Sequence, residues 1–174
     1  MTTLKNLKGT AIQFLDADPV VYAGTWSSGG SVNTARAYGG SSGTSRDAAM
    51  YFGGYTVPTN YANTEQYNGT SWTVRTPAKS EVVNGITFGN NTFVTWGYSG
   101  TLQTSSDNGT SWTWHETNIG AELGAGTFGN GVFVLKSRDY GYTLRSTDNG
   151  TSWSVDRDYQ LSCGSSVTVL TYSE

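Results

Sequence analysis

Hydrophobic and polar residues alternate along this chain over short runs of strand length, and the runs come back in the same order. Gly85-Ile86-Thr87-Phe88 leads through Gly89-Asn90 into the alternating Asn91-Thr92-Phe93-Val94. Forty residues later, Ala125-Gly126-Thr127-Phe128 leads through Gly129-Asn130 into Gly131-Val132-Phe133-Val134. An apolar run, a Gly-Asn turn and a second alternating run predict a β-hairpin. Thr101-Leu102-Gln103-Thr104-Ser105 and Thr143-Leu144-Arg145-Ser146 predict a third strand in each copy. Asn-Gly then supplies the positive φ angles of a tight turn, and a tryptophan-bearing strand closes the unit.

The turn before that tryptophan is the most regular feature of the chain. Ser105-Ser106-Asp107-Asn108-Gly109-Thr110-Ser111-Trp112 and Ser146-Thr147-Asp148-Asn149-Gly150-Thr151-Ser152-Trp153 are nearly the same octapeptide, and Asn68-Gly69-Thr70-Ser71-Trp72 repeats its second half. The tryptophans stand 40 and 41 residues apart, and Trp26 precedes Trp72 by a slightly longer interval of 46. A four-stranded unit at that period predicts an all-β fold, a small β-propeller of about four blades. The whole chain, 1–174, reads as one domain. Residues 1–10 form a lead-in, and blades span about 27–72, 73–112 and 113–153. A composite blade joins strands of 154–174 to strands of 11–26, within the chain or by exchange between subunits of a homo-oligomer. Either closure removes exposed strand edges.

Composition changes this picture mainly by exclusion. Gly is abundant at 23 residues and charge is sparse at 13%, a balance suited to short strands and tight turns. A net charge of −3 without a basic run argues against a nucleic-acid partner, and no apolar run is long enough to predict membrane insertion. The N-terminus lacks the apolar core of a signal peptide. The single Cys163 cannot form an intrachain disulfide and reads as a buried apolar side chain, and the single His115 gives a histidine triad or histidine-based metal site little to work with. Asp16, Asp18, Asp156 and Asp158 lack the spacing of a calcium loop. No cofactor and no metal are expected.

The octapeptides match the Asp-box pattern Ser-x-Asp-x-Gly-x-x-Trp, the bacterial neuraminidase repeat. The resemblance implies a hairpin between the last two strands of a blade. In it, Asp107 and Asp148 hold the turn, Gly109 and Gly150 take the left-handed position, and Trp112 and Trp153 pack between sheets. Trp72 and Trp26 are taken as their counterparts. The unit at Trp72 carries Tyr67 in place of the Asp and lacks that clasp. With Gly53-Gly54 ahead of it, this unit looks more like a kelch blade. The run Thr25–Arg36, then Phe52-Gly53-Gly54-Tyr55 and Thr64–Trp72, resembles kelch-like repeats in structural proteins of tailed bacteriophages, cyanophages in particular. The opening Lys8–Pro19 resembles the leader of such proteins.

A sialidase would need an arginine triad, a Tyr–Glu nucleophile pair and an acid. Arg36, Arg46, Arg75, Arg138, Arg145 and Arg157 occupy no such motif, so an enzyme is not expected. The connections between second and third strands are richer in aromatic side chains. Trp96, Tyr98, Arg138, Asp139, Tyr140 and Tyr142, with Tyr55 and Tyr61 of the longer first-blade loop, are the candidate binding residues, suited to stacking on sugars or anchoring a protein. The expected function is that of a virion surface protein, a capsid decoration or a tail fibre or spike accessory. Its partners would be other virion proteins of capsid or tail and a host-surface glycan. A lectin-like propeller and, more weakly, a glycoside hydrolase fragment are the alternatives.

Overall fold

A computed structural model describes residues 29–45 and 48–157. Residues 11–26 and 158–174 of the expected composite blade, with Trp26 and Cys163, fall outside them, as do Arg46 and Asp47. Ser154–Arg157, expected to begin that blade, instead form the last strand of the third sheet, because the strand follows the tryptophan of the turn. The described residues build three four-stranded antiparallel sheets and one two-stranded ribbon, and they contain no α-helix.

The first sheet has the order β1 (Gly40–Ser45), β2 (Ala48–Phe52), β5 (Thr64–Tyr67), β6 (Trp72–Arg75), and the ribbon of β3 (Tyr55–Thr56) and β4 (Thr59–Asn60) stands in its β2–β5 connection. The second comprises β7 (Val83–Gly89), β8 (Thr92–Gly97), β9 (Leu102–Ser105) and β10 (Thr113–Trp114). The third comprises β11 (Leu123–Gly129), β12 (Val132–Ser137), β13 (Tyr142–Ser146) and β14 (Ser154–Arg157). Within each sheet the strands follow chain order, so each is an up-and-down blade. The first strands lie side by side, β7 between β1 and β11, which makes them the inner edge around which the blades are arranged.

The predicted hairpins form with the predicted residues. Gly89 pairs with Thr92 and Gly129 with Val132, leaving two-residue turns. Asn90 and Asn91 have φ of 46° and 59°, and Asn130 and Gly131 have 46° and 76°. Positive φ at both positions matches the twist of paired strands, and asparagine tolerates it better than other side-chain-bearing residues. Beside each turn a cross-strand phenylalanine pair closes the inner hairpin: Phe88 with Phe93 and Phe128 with Phe133, centroids 4.6 and 4.5 Å apart. Both inner strands carry a register shift at the same place, Val83/Gly85 and Leu123/Ala125. The repeat therefore extends to its irregularities.

The main core lies between the second and third blades and joins Val94, Trp96, Leu102, Ile119, Leu123, Phe133, Leu135 and Leu144. β8 is buried at all six positions, because both faces of a second strand are covered by neighbouring blades. The tryptophan-bearing strand expected to close the second unit is short and falls after its tryptophan. Only Thr113 and Trp114 pair with β9, and Trp112 stands ahead of the strand as part of the turn.

Candidate functional site

The up-and-down order separates two ends of the molecule. First-to-second turns (Asn90-Asn91, Asn130-Gly131) and third-to-fourth turns (the Asp-boxes) lie at one end, and second-to-third connections lie at the other.

At the box end the two octapeptides fold alike. Asp107 accepts from the Ser111 N–H at 2.9 and 3.1 Å, from the Ser111 hydroxyl at 2.6 Å and from the Ser105 hydroxyl at 2.8 Å. Ser105 Oγ in turn accepts from the Gly109 N–H at 2.8 Å. Asp148 repeats the set with the Ser152 N–H at 3.0 Å, the Ser152 hydroxyl at 2.6 Å and the Ser146 hydroxyl at 2.8 Å, and Gly150 N–H donates to Ser146 Oγ at 2.9 Å. The glycines serve twice. Gly109 and Gly150 both have φ of 78°, and each meets the preceding blade. A Cβ at Gly109 would collide with the Met50 thioether, and one at Gly150 would stand 2.8 Å from Thr104 Cγ2. The box is thus where one blade rests on the one before it. Trp153 packs beside the core, its ring 6.3 Å from Phe133 and its N–H donated to Gly150 O at 3.0 Å.

The first blade, lacking the box aspartate, uses Asn68 instead. Its Oδ1 accepts from the N–H groups of Thr70 and Ser71 at 3.0 and 2.9 Å. The clasp expected to be missing is therefore replaced by a carboxamide one residue later, while Trp72 donates to Gly30 O at 2.8 Å and stacks on Tyr67.

The clasps leave an electrostatic signature. The Ser152 hydroxyl and N–H, with the Ser146 hydroxyl, hold the Asp148 carboxyl at about 2, below its ordinary value of 3.8. For Asp107 partial burial works upward, and the bonds from Ser111 and Ser105 outweigh it and hold it low. Both groups bind fewer protons folded than unfolded. Their stabilisation is therefore whole above the ordinary value and is lost as pH falls toward the folded value. His115 is lowered from 6.5 by burial, against the pull of the Asp148 charge. Its folded value also lies below the unfolded one, so it withdraws stability as pH falls below 6.5. Melting temperature followed against pH should therefore decline in two stages, below 6.5 and again below 3.8. Asp148→Ala should flatten the second stage, and an unchanged acid limb would refute the clasp's part in it.

Beside the boxes lies an open polar groove of about 390 Å³ between the second and third blades. Asn90, Asn91, Ser106 and Ser111 stand along it with Asn149 and Thr151 of the next blade. His115 joins them, its Nε2 2.8 Å from Thr104 Oγ1. The sequence offered no motif for it, since four separate turns and strands contribute its walls.

At the other end, the aromatic candidates divide. Tyr98, Tyr140 and Tyr55 are exposed, as are Arg138 and Asp139. Tyr61 and Tyr142 are half-buried, each ring under a guanidinium: Arg36 at 5.3 Å and Arg157 at 5.2 Å. Trp96 requires a correction. It is 4% exposed, and its indole lies over its cross-strand partner Gly85 and against Gly126 of the next blade, so it is core and offers no surface. Tyr38 (92% exposed) and Val57 are further exposed residues at this end that the sequence reading passed over. The Arg138–Tyr142 connection is braced from within. Ser137 Oγ donates to Asp139 O and accepts from Tyr142 N–H, Lys136 donates to Gly141 O at 3.2 Å, and Arg138 pairs with Glu122 at 2.8 Å.

No protein-family model and no curated protein matches the chain. Among solved structures it is similar to YCF48 bound to D1 peptide, with a TM-score of 0.53 and 19% identity. The match covers 67% of this chain and 38% of that one, well under half of its length. At that identity the likeness shows the fold alone. The chain is an all-β propeller of four-stranded antiparallel blades.

Proposed function

We propose that this propeller is a non-enzymatic binding module on the surface of a phage virion, a capsid decoration or a tail fibre or spike accessory, docking on another virion protein through its second-to-third connections. The observation that carries the reading is the gathering of exposed aromatic side chains at that one end. Tyr38, Tyr55, Tyr98 and Tyr140 all stand there, with Val57 beside them. Tyrosines on braced loops supply contact area at low entropic cost, the composition that anchors protein interfaces. The opposite end keeps its carboxylates engaged in turns, which suits architecture better than acid–base chemistry. The kelch-like and leader resemblances point to a virion, and YCF48, a propeller of related fold, is seen bound to a D1 peptide.

The test is reconstitution on purified particles grown without this protein. The wild-type chain should bind them saturably. Tyr98→Ala with Tyr140→Ala should weaken that binding at least about tenfold, the loss of a central aromatic anchor, at unchanged melting temperature. Failure of the wild-type chain to associate with particles would overturn the virion reading. Undiminished binding by the tyrosine variant would move the interface elsewhere.

A further inference from the structure

We propose that the groove between the Asp-box turns is a second binding site, and that its ligand is a neutral saccharide. It lies at the end opposite the exposed tyrosines, so it stands or falls independently of the docking surface described above.

The walls of the groove carry hydroxyls and carboxamides: Ser106, Ser111 and Thr113 from the second blade, Asn149 and Thr151 from the third, and Asn90 and Asn91 at the turn between β7 and β8. Hydroxyls and carboxamides both donate and accept. Among the described residues no lysine or arginine lines it, so a phosphate or sulfate would meet no counter-charge from them. The adjacent carboxylates are occupied, Asp107 by Ser105 and Ser111 and Asp148 by Ser146 and Ser152. A hard cation would have to break a clasp to gain a ligand. What remains is a demand for an uncharged molecule that both gives and takes hydrogen bonds.

Shape and rigidity agree with this. The volume of about 390 Å³ falls within the range of small-ligand sites, about 300–1,000 Å³. The rim is spanned by a hydrogen bond from Asn90 Nδ2 to Asn149 Oδ1, which ties the two blades together at the mouth. His115 is set by Thr104 Oγ1, and burial keeps it neutral at neutral pH, so its ring serves as one more donor or acceptor. The walls are built by turns whose conformations are already fixed by the clasps, so binding would not have to order them. Among the described residues no Phe, Tyr or Trp lines the groove, so affinity rests on hydrogen bonds and belongs in the millimolar range.

The same physics explains why sequence reading looks elsewhere for a sugar site. Aromatic loops advertise themselves as short strings, whereas this groove is assembled from Asn-Asn, Ser-x-Asp-x-Gly-x-Ser and Thr-Trp-His segments that each have a structural reason to exist.

The experiment is an NMR titration of the ¹⁵N-labelled full chain. The probes are glucose, galactose, N-acetylglucosamine, maltose and cellobiose, with sodium phosphate and N-acetylneuraminic acid as charged comparators. At least one neutral sugar should shift the side-chain amides of Asn91 and Asn149, the backbone amides of Gly109 to Thr113 and the His115 ring, saturably. Thr113→Val and Thr151→Val exchange a hydroxyl for a methyl of the same shape on opposite walls. Each should weaken binding by about fivefold or more, the worth of one ordinary hydrogen bond. Tyr140→Ala should leave it unchanged. The two valine variants keep every clasp residue, and an unaltered amide spectrum outside the groove serves as the folding check. Absence of saturable shifts with all five sugars would overturn the proposal, as would shifts confined to the tyrosine-bearing end. So would undiminished binding by both valine variants, or tighter binding of phosphate than of any neutral sugar.

Discussion

Glu65→Ala is expected to cost about 3–5 kcal/mol, the range for removing one partner of a buried ion pair. Glu65 is wholly buried, and so is the side chain of its partner Arg36, whose Nη2 lies 3.1 Å from Glu65 Oε1. The same carboxylate accepts from the N–H and side-chain amide of Asn33 at 2.6 and 2.9 Å, and from the Thr34 N–H at 3.2 Å. It therefore fastens the segment ahead of β1 to the third strand of the first blade, about thirty residues away. Arg36 also donates to Asn63 Oδ1 at 2.7 Å and to Asn63 O at 3.4 Å and lies over Tyr51 and Tyr61, and its Nε has no partner among the described residues. Alanine at 65 would leave a guanidinium in the interior with the two oxygens of Asn63 and two ring faces for company. Small domains hold about 5–15 kcal/mol in all, so the variant should sit near the edge of folding, with a urea midpoint well below the parent's. Glu65→Gln should fall between the two, since it keeps an acceptor and loses the charge. Pairing Arg36→Met with Glu65→Leu should recover only part of the loss, because an apolar pair spares two desolvation costs but leaves the Asn33 and Thr34 N–H groups without their acceptor. An alanine variant with the parent's midpoint would show that the pair contributes nothing.

How much of this was legible in the sequence follows from how far apart the partners lie. The Asp and Gly of the Asp-box turn could be read, because they act on the backbone within a few residues, and the hairpins at Asn90-Asn91 and Asn130-Gly131 could be read for the same reason. The serine hydroxyls that complete each clasp were not foreseen. Asn68 was missed as a substitute clasp although it stands beside the tyrosine that replaces the aspartate; a carboxamide can fill the role from the next position because its oxygen reaches the same N–H groups. Arg36 and Glu65 both lay in the segments that carried the kelch-like resemblance, yet nothing local joins residues thirty positions apart. The groove was invisible for the stronger reason that no single segment encodes it. Trp96 is the instructive error. Its neighbours Gly97-Tyr98-Ser99-Gly100 look like a surface loop, and the connection does leave Tyr98 exposed. The ring itself turns inward because two glycines on inner strands, Gly85 and Gly126, leave it room.

That room leads to the second large effect. Trp96→Ala should cost about 3–5 kcal/mol, the range for truncating a buried aromatic residue. The indole packs over Gly85 within its own blade and against Gly126 of the next, beside Leu135, so it fills the seam that holds the second blade to the third. Glycine cannot move a side chain into the vacated space, and each inner strand is held by its ladder to the second strand of its blade, so the cavity would stay open. Trp96→Phe distinguishes packing from the loss of any polar role. The indole N–H is buried without an acceptor among the described residues, a state that costs about 1–3 kcal/mol. Phenylalanine removes that donor while keeping a ring in the seam, so the variant should fall within about 1 kcal/mol of the parent. Urea denaturation of the three proteins decides the matter, and an alanine variant as stable as the parent would mean that the seam closes without the ring. The same result governs how binding experiments are read. Loss of partner or sugar binding in Trp96→Ala would report a weakened blade junction, whereas Tyr140, 62% exposed on a braced loop, can be truncated without disturbing the seam. Only the second kind of variant separates what the propeller touches from what holds it together.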